Sequence, residues 1–176
     1  MSIVLDGTGT ISGVVAGGLP DATITQAEIA SGVAGTGPAF RAYRTTSNQS
    51  LTASTWTKVQ LNAEDFDTAN CFDSTTNYRF TPTVAGYYQI NFGVQVLGTS
   101  IIAIAIYKNG SAYGLGTYFE SAFGNPASNV QDVVYFNGST DYVEGYIIAV
   151  SSGITVNGTI NSQAQTRMSG FLARAA

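Results

Sequence analysis

The stretch from Tyr87 to Leu97 puts Tyr88, Ile90, Phe92, Val94 and Val96 at alternate positions, with Gln89, Asn91 and Gln95 between them. Successive side chains of an extended strand point to opposite sides of a sheet, so this period of two marks a strand with one buried face. After a Gly-Thr-Ser break, Ile101 to Tyr107 is apolar on both faces. Ile102, Ile104 and Ile106 lie on one, and Ile101, Ala103, Ala105 and Tyr107 on the other. A strand apolar on both faces has to be covered on both. In a two-layer sandwich the second cover comes from another subunit or an overlying loop. Ile101, Ala103, Ala105 and Tyr107 are therefore expected at a seam between chains, where the small alanines allow close approach.

The rest of the chain after Pro38 repeats the strand-and-turn pattern. Asn109-Gly110 predicts a tight hairpin, because a type I′ turn needs positive φ at both central residues. Ser111 to Phe119 returns from it. Val130 to Phe136 and Tyr142 to Val150 form a second hairpin through Asn137 to Thr140. Gly153 and Asn157-Gly158 punctuate the next segment, and Met168 to Arg174 closes the chain. Earlier strands are expected at Phe40 to Arg44, Trp56 to Asn62 and Tyr78 to Thr81. Short strands at such spacing, parted by Gly and Asn, predict an all-β sandwich or jelly roll. Asn48, Asn109, Asn137 and Asn157 each head an Asn-x-Ser/Thr triplet, but the last three are Asn-Gly steps and read as turns.

Residues 1–37 differ. They are rich in Gly, Ala, Thr and Ser and hold no aromatic residue, so they cannot build much of a core. They are expected to be an extended arm, linker or anchor, ordered only when docked on something, ahead of the domain of residues 38–176. A short amphipathic segment is possible from Asp21, as a cap, through Ile24 to Ile29.

Charge excludes several functions. Only 10% of residues are charged, against about 25% in an ordinary domain. The seven cations, Arg41, Arg44, Lys58, Arg79, Lys108, Arg167 and Arg174, are scattered. Nucleic-acid binding draws its affinity from clustered cations on phosphates, and an anionic-membrane anchor needs the same. With no histidine and a single cysteine, neither a nucleophilic triad nor a thiolate–imidazole metal site can be assembled, and no catalytic residue is assigned. Cys71 is either a buried structural thiol or the partner of an intermolecular bridge. No secretory leader is expected, since the first basic residue is Arg41, and no apolar run is long enough to span a membrane.

Two groups could bind something. Glu64, Asp65, Asp67 and Asp73 are an acidic cluster that reads as a weak calcium site or as a solvated loop. No other cofactor is indicated. Tyr113, Tyr118, Phe119 and Phe123 lie around a Gly- and Ser-rich stretch and read as a ligand surface, or as core or seam filling.

Asp67, Phe72, Phe80, Gly86, Tyr88, Ile90 and Phe92 together resemble the signature of the complement-subcomponent-q head domain, one of the tumour-necrosis-factor-like jelly rolls. The steps Phe80 to Gly86, Gly86 to Tyr88 and Tyr88 to Phe92 match it. Ala39 to Tyr43, Trp56 to Val59, Asn77 to Thr81 and Ser169 to Leu172 resemble further strands of that family. Ile90 and Leu61 stand where Phe is usual, and one extra residue separates Phe72 from Phe80. The resemblance covers residues 38–176. It implies a jelly roll of about ten strands that assembles as a compact homotrimer with an N-terminal stalk. Irregular glycine spacing in residues 1–37 excludes a collagen stalk. Their repeated Thr-Gly, Ser-Gly and Ala-Gly steps resemble the N-terminal segments of bacteriophage fibre and virion proteins. That resemblance implies a non-enzymatic virion module: the head of a fibre, tail tip or capsid decoration, assembled in a host cytoplasm and bound to other virion proteins. It would serve in attachment to a host-surface glycan or protein. The alternative is a soluble recognition protein of the complement-q type.

Overall fold

The alternating stretch forms β9 (Gly86–Leu97), the longest strand among the described residues of the computed structural model, which are 4–5, 11–12, 37–45, 47–120, 124–160 and 163–176. Tyr88, Ile90, Phe92, Val94 and Val96 all point into the core, and Tyr87, Gln89, Asn91 and Gln95 point out of it. The chain divides into two units, Met1–Gly35 and Thr36–Ala176. In the first, β1 (Val4–Leu5) pairs antiparallel with β2 (Ile11–Ser12). The segment expected from Asp21 to Ile29 lies outside the described residues, as does most of the expected arm.

The second unit is two antiparallel seven-stranded sheets. The first sheet runs in the order β11 (Ser111–Leu115), β10 (Ile101–Lys108), β14 (Val143–Ala149), β8 (Arg79–Phe80) and β7 (Phe72–Asp73). In it β12 (Phe119–Glu120) also pairs with β10, and β5 (Thr57–Lys58) with β14. The second sheet runs β4 (Gln49–Ser50), β15 (Thr155–Val156), β9, β18 (Arg167–Ala175), β3 (Ala39–Tyr43) and β6 (Ala63–Asp67), with β13 (Ala127–Phe136) along the other side of β9. A small ladder joins β16 (Thr159–Ile160) to β17 (Gln163–Ala164).

The inner faces meet over one hydrophobic core. Phe72, Phe80 and Tyr88 join Phe40 and Phe136 there. The Phe40 and Phe80 rings stack at 4.2 Å between centroids, and Tyr88 meets Phe136 edge-on at 5.2 Å. The Tyr88 hydroxyl donates to the Val84 carbonyl at 2.8 Å, and burial pushes its pKa up to about 12. A Cβ at Gly86 would lie 2.4 Å from the Arg174 carbonyl oxygen, so only glycine lets β9 start beneath β18. The motif residues are thus core and close-approach positions. Cys71 is buried, as a structural thiol would be.

Five local expectations differ from the structure. The hairpin expected between Val130–Phe136 and Tyr142–Val150 does not form: β13 pairs with β9 in the second sheet and β14 with β10 in the first, so Asn137 to Thr140 crosses from one sheet to the other. The strand expected from Trp56 to Asn62 shrinks to β5, because Val59 and Leu61 turn into the core off the ladder. The return strand from Ser111 breaks after Leu115 and resumes as β12. Asn157 does not make a turn. It is buried, its N–H donates to the Gln95 carbonyl at 2.8 Å, and its amide donates to Gln95 Oε1 at 2.8 Å, holding the chain on β9. The acidic stretch is not a loop up to Asp67, since Glu64, Asp65 and Asp67 sit on edge strand β6. The hairpin at Asn109-Gly110 forms as expected, with φ of 51° and 79°. Among the described residues, no helix is long and apolar enough to cross a membrane.

Candidate binding and assembly surfaces

The four acidic residues do not converge. Asp65 pairs with Arg41 across β6 and β3, and Glu64 is exposed one residue away. Asp67 accepts from the N–H groups of Phe72 at 2.6 Å and Ala69 at 3.1 Å. Asp73 accepts from the N–H groups of Thr75, Thr76 and Asn77 and from the Asn77 amide. The bond from Thr76 leads in holding its carboxyl well below the usual range. The Asp67 oxygens are spent on the turn from β6 into β7, and those of Asp73 on the turn into β8. Among the described residues, no group of three or more Asp, Glu, Cys or His could hold a metal ion, so the calcium expectation finds no ligand set.

On the exterior of the first sheet the alanines of β10 are covered by their own chain. Ala103 and Ala105 have no exposed surface. They stand in register with Ile148 and Tyr146 of β14, which are taller. Tyr107 stacks on Tyr146 at 4.0 Å, with Trp56, from the segment leading into β5, 6.1 Å from Tyr107. Glu144, only 5% exposed, takes an ion pair from Lys58 at 2.9 Å. Burial, and then the charge of Glu144, raises the Tyr146 pKa. A partner on this face would rest on Tyr107, Tyr146 and Trp56, and the cover that Ala103 and Ala105 require is supplied within the chain.

The second sheet and the neighbouring edge are open. On its exterior, Val133, Gln89, Phe171 and Ala39 form one row across β13, β9, β18 and β3. Beside that row Tyr87 and Tyr135 pack at 5.3 Å. Val133 is 50% exposed and Phe171 51%. Tyr87, Val133 and Arg174 line a hollow of about 550 Å³ against the last residues of the chain. At the edge, the Tyr113 hydroxyl donates to the Val133 carbonyl at 3.5 Å, which sets β11 beside β13. Tyr113, Leu115, Tyr118 and Phe119 stand exposed there, Leu115 at 61% and Tyr118 at 59%. The three described members of the expected ligand surface therefore lie together on an edge, and Phe123 lies outside the described residues. Sequence reasoning missed Val133, Tyr135 and Phe171. The signal was present: Val133 to Phe136 is apolar on both faces, as Ile101 to Tyr107 is.

No protein-family model matches the chain, and no curated protein matches it by sequence. Solved structures match it by fold. The globular domain of zebrafish complement 1qA protein superposes with a TM-score of 0.54 at 18% identity, over 80% of this chain and 99% of that one. Eiger TNF from S. frugiperda gives 0.56 at 9% identity, over 80% and 94%. Murine APRIL gives 0.58 at 8% identity, over 77% and 98%. The two-sheet sandwich is thus a complement-1q/tumour-necrosis-factor-like jelly roll, the fold that the Phe80–Gly86–Tyr88 motif implied.

Proposed function

We propose that this chain is a non-enzymatic binding and structural head that assembles as a homotrimer. The observation that carries the reading is that one chain exposes two unlike apolar surfaces. One is the edge of Tyr113, Leu115, Tyr118 and Phe119, and the other is the face of Tyr87, Val133, Tyr135 and Phe171. Exposed apolar surface of this kind marks an interaction site. Unlike surfaces that meet head to tail close into a ring when the rotation permits. Domains of the complement-1q/tumour-necrosis-factor-like fold typically form homotrimers, which supports three copies. The edge of one copy then docks on the face of the next. Light scattering with mass determination tests this: three chain masses are expected, and a stable monomer overturns it.

The setting we favour is a bacteriophage particle, with the head on a fibre, tail tip or capsid decoration and residues 1–37 holding it to other virion proteins. The composition of those residues and the low charge of the whole chain support it. A chain beginning at Pro38 should still trimerise but lose attachment to the particle, and retained attachment would sink the anchoring role.

A further inference from the structure

The edge and the face each run from apolar residues to a single charge, and the two charges are opposite. On the edge, Leu115 stands opposite Ala105 of β10, and Glu120 stands opposite Ile101. Glu120 is the one charged residue of β11 and β12, and it is exposed. On the face, Phe171 stands opposite Gln89 of β9, and Arg167 stands opposite Gly93. Arg167 is exposed and is the one charged residue of the row it shares with Asn129, Gly93 and Tyr43. On both surfaces the charge thus lies four residues along the strand from the apolar residue, or about 13 Å at the rise of a strand. Arg41, Lys58 and Lys108 are each held by a carboxylate, whereas neither Glu120 nor Arg167 has an ion pair among the described residues. Arg167 gives one hydrogen bond, to the Ala164 carbonyl at 3.2 Å, and borders a groove of about 260 Å³ with Asn91, Asn129 and Gln131.

We propose that this groove receives Glu120 of the next copy, which pairs with Arg167 and fixes how the edge lies on the face. The pairing rests on the homotrimer reading above and supplies the polar contact of that seam. A second copy fits because the two surfaces match in sign and in spacing. With Leu115 against Val133 and Phe171, Glu120 reaches Arg167. Arg174, also without an ion pair among the described residues, stands opposite Tyr87, one row from Phe171. That is about 7 Å, too short for the span from Leu115 to Glu120. A guanidinium meets a carboxylate in a paired, charge-assisted geometry, and the amides of Asn91, Asn129 and Gln131 can donate to the remaining lone pairs. Charges buried in a seam are tolerated only when paired, and a pair placed there rejects other registers, because each would set the charge against a like charge or an apolar side chain.

Sedimentation equilibrium of the full chain over a range of concentrations tests the pair by charge reversal. Glu120→Arg and Arg167→Glu should each raise the concentration at which half the trimer dissociates by about tenfold or more, since each sets like charges together. The double reversal should return it to within about threefold of the parent. Adding Arg174→Glu to Glu120→Arg should give no such recovery. Far-UV circular dichroism should stay parental throughout, because both side chains are exposed. Single reversals without effect, no recovery in the double reversal, or recovery through Arg174→Glu instead would each overturn the pair and leave the trimer standing. A monomeric parent would overturn the homotrimer reading, and the pair with it.

Discussion

The two sheets each turn one doubly apolar strand outward, and they treat it in opposite ways. On the first sheet, β10 carries Ala103 and Ala105 outward, and they are buried between taller neighbours of their own chain, Ile148 beside Ala103 and Tyr146 and Leu115 beside Ala105. On the second, β13 carries Val133 and Tyr135 outward, and they stay 50% and 40% exposed although Tyr87 and the Lys108 ammonium pack on the Tyr135 ring. The difference is one of side-chain height. Alanines sink between taller neighbours, whereas Val133 stands opposite Gln89 with Phe171 beyond it, and all of them rise to the same level. An apolar strand therefore calls for a partner chain only where its neighbours cannot shade it.

The largest effect is expected on the closed face. Ala103→Arg or Ala105→Arg puts a long unpaired charge where no surface is exposed, costing on the order of 3–5 kcal/mol through overpacking and desolvation. That is a large share of an ordinary folding margin. Denaturant unfolding should show the loss, with any change of mass following from it. A normally stable trimer would mean that this face is neither closed nor at a seam. Next comes the open face. Val133→Asp or Phe171→Asp should leave the fold intact but dissociate the trimer, because each buries a charge only on assembly, at about 2–4 kcal/mol. Sedimentation at unchanged trimer mass would remove this face from the seam. Tyr146→Ala should lose a ring stack worth roughly 0.5–1.5 kcal/mol beyond its buried area and leave the mass unchanged. Dissociation there would hand the seam back to the first sheet.

The smallest effect is at Asp73, on the margin of the first sheet. Its pKa is depressed in the folded chain, so its contribution is present above the ordinary carboxylate pKa of about 3.9 and is lost as pH falls through the lower folded value. Asp73→Asn should be slightly less stable than the parent at neutral pH, and the two should converge on acidification below about pH 4. Calcium should raise the thermal midpoint of neither, because a ligand stabilises only what it binds. A calcium-dependent rise in the parent alone would reinstate a metal role for this turn.

Much of the fold was legible because it rests on local rules. The alternation along β9 needs only the period of a strand, and Asn109-Gly110 only the backbone freedom of those two residues. The acidic stretch misled because β6 is an edge strand with a single neighbour. Such a strand can carry Glu64, Asp65 and an exposed Phe66, and its outward charges discourage further pairing. Asn157 misled because its amide is captured by Gln95, which lies 62 residues away in sequence.

The sequence by itself determined that this chain is all-β, which residues of β9 and β10 face the core, and that Phe72, Phe80, Gly86 and Tyr88 belong together. Those properties follow from side-chain period, turn chemistry and the spacing of a motif. Only the tertiary structure decided which outward apolar strand is shaded and which is left open, that the carboxylates of Asp67 and Asp73 are consumed by backbone N–H groups, and that Asn91, Asn129 and Arg167 border one groove. Each of these depends on the register between strands distant in sequence, and on the heights of the side chains that register brings side by side.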